Sequence, residues 1–459
     1  MNHAEKLVAL PVLFACCALP SSAQTDATRV HYEPTWESLD QHQTPEWFMN
    51  AKLALFIYSP QPSHDAYVKH FTRLGQPEKI PPADSWKLRE AIDRIGFDAD
   101  ELAQLAVDMG ARYVTYCAQA STFFRTYPGK YNDIEGSPWS YIGGTGTTKR
   151  DYAAEMCEAA RARGLKIGFF DGILRPQATP YYTEVMHEMI DRYHPDSLSF
   201  DDEKLSYTAE ELKSRELLAY YYNHSPNPDE VVSEDALGSH KGATWQRELS
   251  HGDWFRKEMA PPHSDIPEGY FIRYETVYRW RHRSPVNESA GIVNNLVEWL
   301  ADAVSKNGNL ELAIHLEPEL YKFEKRTLLQ VGDWMEVNGE AIYDTRPWRA
   351  GTAEDTTASG IHVRYTTKGD TLYAILFKWP GGPGSVARGV GRSVFTHLKA
   401  HENSKIHLLG VDRDPPWRQT DEGLEIFTPT GGGGEGFETE IPCDHAYTFR
   451  ISPRPEWVD

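Results

Sequence analysis

A unit that recurs along this 459-residue chain restricts its fold more than any other feature: an amphipathic helix, a glycine or tight turn, then a short apolar strand. In FDADELAQLAVDMGARYVTYCA, Phe97, Leu102, Leu105, Ala106 and Met109 fall at helical spacing, Gly110 stops the helix, and RYVTYCA reads as a buried strand. RDYAAEMCEAARARGLKIGFFDGIL repeats the cycle through Gly164. YYTEVMHEMIDRYHPDSLSFDD repeats it through a turn at His194 and Pro195. AEELKSRELLAYYYNHSP followed by EVVSED makes a fourth unit, and PEWFMNAKLALFIYS supplies an earlier strand from Leu53 to Tyr58. Helix and strand alternating at roughly thirty residues per unit predict right-handed crossovers and a parallel sheet. Several such units in succession favour an α/β fold of the closed (β/α)8 type over an open doubly wound sheet. No glycine-rich phosphate fingerprint follows any of the strands, which weakens a dinucleotide-binding reading.

Past NGEAIYDTRPWR the period changes. GIHVRYTTKGDTLYAILFKW, SKIHLLG, GLEIFTPT and AYTFRIS are short alternating strands broken by Gly, Asp and Pro. They predict a C-terminal antiparallel β-sandwich over 345–459, after a barrel over 24–344. The first residues carry one lysine, an apolar run from Leu7 to Leu19, and Ser21 and Ala23 placed for cleavage before Gln24. A signal peptide over 1–23 and an exported protein are expected, with no later run long enough to span a bilayer. A lipid anchor on Cys16 is disfavoured because Phe14 stands where a small residue is needed. Cys117, Cys157 and Cys443 then remain, too widely spaced for a disulfide framework or a zinc site, and read as buried small apolar residues.

A net charge of -20 argues against nucleic acid and anionic membranes as partners. The 13 Trp and 24 Tyr suit surfaces that stack on sugar faces. In a barrel of this type chemistry gathers where the strands end. The acids expected there are Asp171 in GFFDGIL, the run Asp201, Asp202 and Glu203, Glu234 and Asp235 in VVSEDALG, and Glu275 in FIRYETVY. Glycoside hydrolysis needs two carboxyl groups flanking the scissile bond, about 5–5.5 Å apart when one is the nucleophile. Spacing alone does not choose among these acids, and each reads equally as a solvated or salt-bridged loop charge.

The stretches PEWFMNAKLALFI, FDADELAQLAVDMGARYV, KRDYAAEMCEAARARGLKIGFF, YHPDSLSFDD, AVSKNGNLELAI and LLQVGDWMEVNGEAIYDTRPW resemble glycoside hydrolase family 29, the α-L-fucosidases. That family places its nucleophilic aspartate after a Trp-Phe pair at a strand end. The resemblance therefore implies that Asp201, after Ser199 and Phe200, attacks the anomeric carbon. Tyr274-Glu275-Thr276 matches the family's acid/base segment and implies that Glu275 protonates the leaving oxygen. Tyr274 and Tyr278 would supply a partly dry surrounding for it.

The chain departs from the family at its sugar-holding positions. Where Phe-Ile-His-Trp-Gly is usual it has Phe56, Ile57, Tyr58, Ser59 and Pro60. Where Lys-His-His-Asp-Gly-Phe is usual it runs from Gln119 through Ala120 and Ser121 to Phe124. Ser284 to Asn287 and Ala313 to Leu316 replace two further family segments. Losing a donor to a buried hydroxyl costs about 1–3 kcal/mol. A pocket altered away from ordinary fucose binding is expected, with Tyr58, Gln119, Ser121, Asp171, Asp202, Trp254 and His315 as candidate substrate-binding residues. Trp245 and Trp254 fall on a long predicted loop, as a stacking wall or a seal for the rim. His64, His70 and His240 lie in predicted loops and read as surface residues, and Asn223 and Asn287 open glycosylation sequons. No cofactor is implied, and no metal, since the acids match no loop motif for Ca²⁺. The leading expectation is a retaining exo-glycosidase acting on a glycan or glycoside. The alternative is a catalytically inactive carbohydrate-binding protein on the same scaffold.

Overall fold

The recurring units build eight parallel strands in a computed structural model of the chain. It describes residues 30–58, 97–120, 124–125, 151–171, 179–200, 208–235, 251–258, 266–267, 269–277, 289–316, 318–352, 354–380, 391–428 and 441–458. The leader expected over 1–23 lies outside these residues. The strands are β1 (Leu53–Ile57), β2 (Tyr113–Ala120), β3 (Lys166–Asp171), β4 (Ser197–Phe200), β5 (Val232–Ser233), β6 (Trp254–Glu258), β7 (Tyr270–Thr276) and β8 (Gly308–Ile314). They pair in the order β5-β4-β3-β2-β1-β8-β7-β6. A single parallel bridge, Glu234 to Trp254, joins the two ends and closes the ring.

The helices between them are α1 (Ala99–Asp108), α2 (Tyr152–Ala162), α3 (Thr179–Tyr193), α4 (Ser214–His224), α5 (Ser289–Ser305) and α6 (Pro318–Asn338). Asp98 caps α1 by accepting from the Glu101 N–H, and Asp151 caps α2 by accepting from the Ala154 N–H. Gly110 ends the first unit at φ +85° with the Tyr343 hydroxyl only 2.7 Å from where a Cβ would stand. Both its conformation and its crowding exclude a side chain.

Strand alternation sorts the side chains. Leu55, Val114, Ile167, Leu198 and Leu312 face the helices and join the main core. Ala54, Tyr113, Val232, Trp254 and Ile272 face inward and, with Phe48, fill the barrel floor. Phe56, Cys117, Tyr274 and Ala313 form a second inward cluster nearer the strand ends, with Tyr58 and Phe170 packed against it. Cys117 and Cys157 are buried and Cys443 half-buried. No described helix is long and apolar enough to cross a membrane.

The C-terminal strands are β9 (His362–Lys368), β10 (Thr371–Leu376), β11 (Gly391–Phe395), β12 (Lys405–Leu408), β13 (Trp417–Thr420), β14 (Gly423–Thr428) and β15 (Tyr447–Ser452). They form two antiparallel sheets, β9-β10-β15-β12 and β11-β14-β13. Val363, Leu376, Phe395, Ile426 and Phe449 from both sheets share one apolar core, as the alternating pattern predicts. A buried ion network ties the barrel to them. Asp302 of α5 accepts from Lys306 Nζ at 2.7 Å and from Arg364 Nε of β9 at 2.7 Å, and Arg273 of β7 stands 3.6 Å away. Glu354 pairs with Lys306 and Arg364.

A second buried pair fastens the segment before β1. His42 Nδ1 lies 2.8 Å from Asp253 Oδ1, and its Nε2 lies 2.9 Å from the Pro228 carbonyl oxygen. Both partners are acceptors, so only the doubly protonated ring can donate to both at once. Its face stacks on Tyr222, with centroids 4.1 Å apart. Burial works to lower the His42 pKa, but the hydrogen bond and charge of Asp253 outweigh it and the net direction is upward. A raised histidine pKa gives stability that is complete below the unfolded value of about 6.5 and lost as pH rises through the folded value. Thermal unfolding followed from pH 5.5 to 8.5 (roughly the range in which histidine titrates) is expected to show this decline. His42→Gln should lower stability at the acid end and flatten the slope. An unchanged slope in the variant refutes the assignment.

Candidate active site

At the C-terminal end of the barrel, aromatic rings surround a hydrogen-bonded polar edge. Tyr58, just past β1, stacks on His315, with ring centroids 5.0 Å apart and planes at 22°. Its hydroxyl is hydrogen-bonded to that of Tyr274. Phe56 meets Tyr58, Phe170 and Tyr274 edge-on at 5.1, 5.3 and 5.1 Å. His315 follows β8 and is held by Glu324 of α6. Its backbone N–H donates to Glu324 Oε2 at 2.8 Å and its Nδ1 lies 3.0 Å from Oε1. The carboxylate thus draws the ring proton to Nδ1 and fixes the ring's orientation.

Below this edge stands a charge pair. Arg256, inward on β6, donates from Nε to Glu234 Oε1 at 2.9 Å and from Nη2 to Oε2 at 3.1 Å. The guanidinium sits 5.1 Å from the centroid of Phe170, 5.3 Å from Tyr274 and 5.8 Å from Trp254. Glu234 Oε2 also accepts the Phe200 N–H at 2.8 Å. The residue that Glu234 holds therefore directly precedes Asp201 in the chain. Also in the barrel interior, Glu311 of β8 accepts from Thr115 Oγ1 at 2.7 Å and is completely surrounded by protein. Burial pushes its pKa up to about 7, against the opposing pull of Arg256 and the Thr115 hydrogen bond.

Asp201, Asp202 and Ser121 lie outside the described residues, as does the side chain of Gln119. Gln119 is placed by its backbone opposite Asp171, after a slip of register at Cys117 that marks a bulge near the mouth. Asp171 ends β3, 1% exposed, in register with Phe200 and on the same strand face as Ile167 and Phe169, which turn to the helices rather than to the barrel interior. Tyr58 and His315 come together as an aromatic pair.

Two further expected positions differ. Glu275 sits on the opposite face of β7 from the inward Tyr274. Its Oε1 accepts from Arg273 Nε and Nη2 at 3.1 and 2.9 Å, and Arg273 in turn lies against Trp299 and Asp302 of α5. Strand alternation turns this glutamate toward the helices, away from the barrel interior where a substrate's leaving oxygen would stand. Trp254 is on a strand rather than a loop. It opens β6, fully buried among Phe48, Tyr113 and Ile272 at the floor, with no face left for a sugar.

Arg256 and Glu311 were not among the sequence candidates. A charge inside an otherwise apolar strand, as in NLELAI, is the signal that could have found Glu311. For Arg256 the needed information is which face of WFRKE turns inward. Among the described residues no cluster of three or more His, Cys, Asp or Glu is placed to hold a metal ion.

A parallel barrel with carboxylates and aromatic rings at its mouth, followed by antiparallel sheets, is the architecture of a glycoside hydrolase. The α-L-fucosidase family model matches residues 18–340, and the α-L-fucosidase C-terminal domain model matches residues 354–452. The chain belongs to the α-L-fucosidase family. Tissue α-L-fucosidase of Rattus norvegicus is 26% identical over 95% of this chain and 96% of its own length. The α-L-fucosidase of Branchiostoma floridae is 27% identical over 92% and 95%. Among solved structures, Thermotoga maritima α-fucosidase in complex with fucose matches with a TM-score of 0.67 at 21% identity, over 92% of this chain and all of the other. α-L-Fucosidase isoenzyme 1 of Paenibacillus thiaminolyticus matches with a TM-score of 0.59. These structural matches agree with the fold described.

Proposed function

We propose that this chain is an exported retaining exo-glycoside hydrolase whose pocket departs from ordinary fucose recognition. The observation that carries the reading is the mouth itself, a Glu234–Arg256 pair beneath the Tyr58, Tyr274 and His315 edge in a chain of this family. Asp201 supplies the nucleophile. It follows Ser197 and Ser199 at the same two-residue spacing, and it comes directly after the Phe200 amide that Glu234 holds. Its carboxylate forms a bond to the anomeric carbon as the glycosidic bond breaks and the departing oxygen takes a proton from solvent; water then attacks the same carbon, freeing the sugar and the Asp201 carboxylate and returning a proton to solvent. Tyr58 and His315 offer rings for the apolar face of a sugar and polar atoms for its hydroxyls. Gln119, Ser121 and Asp202 complete the proposed pocket. Export rests on the leader read over 1–23, and the working division is a barrel over 24–344 and sheets over 345–459.

The orientation of Glu275 supports a second reading. Retaining hydrolysis needs a carboxylic acid on the pocket side, and Glu275 in its ion pair with Arg273 is not on that side. A carbohydrate-binding protein without turnover has no such requirement. A panel of 4-nitrophenyl α-glycosides, the α-L-fucoside included, separates the two. The wild type is expected to cut at least one member, and Asp201→Asn to lower turnover on the order of 10³-fold or more. A wild type that binds glycans and cuts none establishes the binding reading. Fast hydrolysis of the fucoside would show that the altered positions spare fucose recognition.

A further inference from the structure

Between the floor and the mouth, the barrel interior holds a carboxyl group that the proposed chemistry does not use. Glu311 lies at the middle of β8, on the inward face between Asn309 and Ala313, and is 1% exposed. One oxygen accepts from Thr115. The other, Oε2, is buried near the Tyr113 hydroxyl. Thr115 bonds it from β2, and Tyr274, its register neighbour on β7, carries the Arg256 guanidinium 5.3 Å from its ring centroid, so the charge of Arg256 and that of Glu234 behind it both reach this carboxyl. The strands beside β8 turn Ala54, Phe56, Ile272, Tyr274 and Thr276 inward; of these only Tyr274 bears an ionisable group, and its hydroxyl is on Tyr58. Two carboxyl groups thus face one guanidinium, and Glu234 holds two of its N–H groups.

We propose that Glu311 is a positioning residue that sets the pH range of the site by governing how much of the Arg256 charge reaches the mouth. Protonated, it leaves the guanidinium to Glu234 and the pocket above. Ionised, it adds a second negative charge to the surroundings of Arg256 and draws on the same cation. A carboxyl pKa pushed up to about 7 puts the change in the neutral range. The form that leaves Arg256 undisturbed is present below that pH and lost above it.

The activity readout rests on the glycosidase reading, so a second readout independent of turnover accompanies it. Glu311→Gln holds the group in a neutral form. It is expected to move the alkaline limb of the kcat/KM profile, measured on whichever 4-nitrophenyl α-glycoside the wild type cuts, upward by about one pH unit or more. At the acid end kcat/KM should stay within about twofold of wild type. Infrared spectra of the wild type are expected to show a carboxylic acid C=O band that titrates near neutral pH and is missing from Glu311→Gln. Thr115→Val removes the hydrogen bond that favours the ionised form and should shift band and limb upward together. It also serves if the glutamine variant does not fold. An alkaline limb that stays in place in the variants, or a wild type without the titrating band, overturns the proposal. If the wild type cuts no glycoside, the function reading fails by itself and the band decides. Its loss in Glu311→Gln then supports the proposal, and its persistence there refutes it.

Discussion

Arg256→Met is expected to destabilise the protein by about 3–5 kcal/mol, the usual cost of leaving a buried carboxylate without its cation. Glu234 is completely buried and Arg256 nearly so, and the two make a forked pair of N–H···O bonds. Methionine fills much of the volume but returns none of the charge. Because Glu234 also accepts the Phe200 N–H, its loss of partner disturbs the strand end directly before Asp201. Turnover on any aryl glycoside should therefore fall further than stability accounts for at a temperature where the variant is folded. Arg256→Lys does not rescue it, since an ammonium cannot reproduce the fork. Urea unfolding gives the stability and initial rates give the activity. A variant within 1 kcal/mol of wild type, on the order of a single surface substitution, refutes the assignment.

The other large effect is expected far from the mouth. Asp302 gathers Lys306, Arg364 and Arg273, all nearly buried, at the junction of the barrel and the C-terminal sheets. Asp302→Ala leaves three cations facing one another with only Glu354 and Glu275 to answer them. The loss should again be about 3–5 kcal/mol. It should come with earlier proteolysis between α6 and β9, because Arg364 is the C-terminal partner in the network. Asp302→Asn keeps the acceptor oxygen and should lose clearly less. Equal losses for the two variants would show that packing, not charge, holds the junction.

Much of this architecture was legible in the sequence because helix and strand periods are local. The units ending at Gly110, Gly164 and His194 each showed their helix, their stop and their strand. The site was less legible because facing is not local. Whether Tyr274 or Glu275 turns inward depends on a register set by β6 and β8, and a run such as FIRYETVY carries large residues on both faces. The same ambiguity hid Arg256. Trp254 was misplaced for a different reason, since Asp253 and Gly252 before it read as loop. They instead bring the chain back into the sheet through the Asp253 N–H bond to the Ser233 carbonyl oxygen.

The barrel closes between β5 and β6 on one bridge, flanked by backbone bonds from Asp235 to Trp254 and from Asp253 to Ser233. Glu234 and Arg256 stand on either side of that junction, so their ion pair stitches the seam where the backbone ladder is thinnest. A mutation that reshapes the pocket at these two positions also opens the scaffold. Tyr58 and His315 lie away from that seam, His315 being tied instead to Glu324 of α6. Selection for a new sugar can therefore change the aromatic edge without touching the closure of the barrel, while the charged pair is held in place by the need to keep the ring shut.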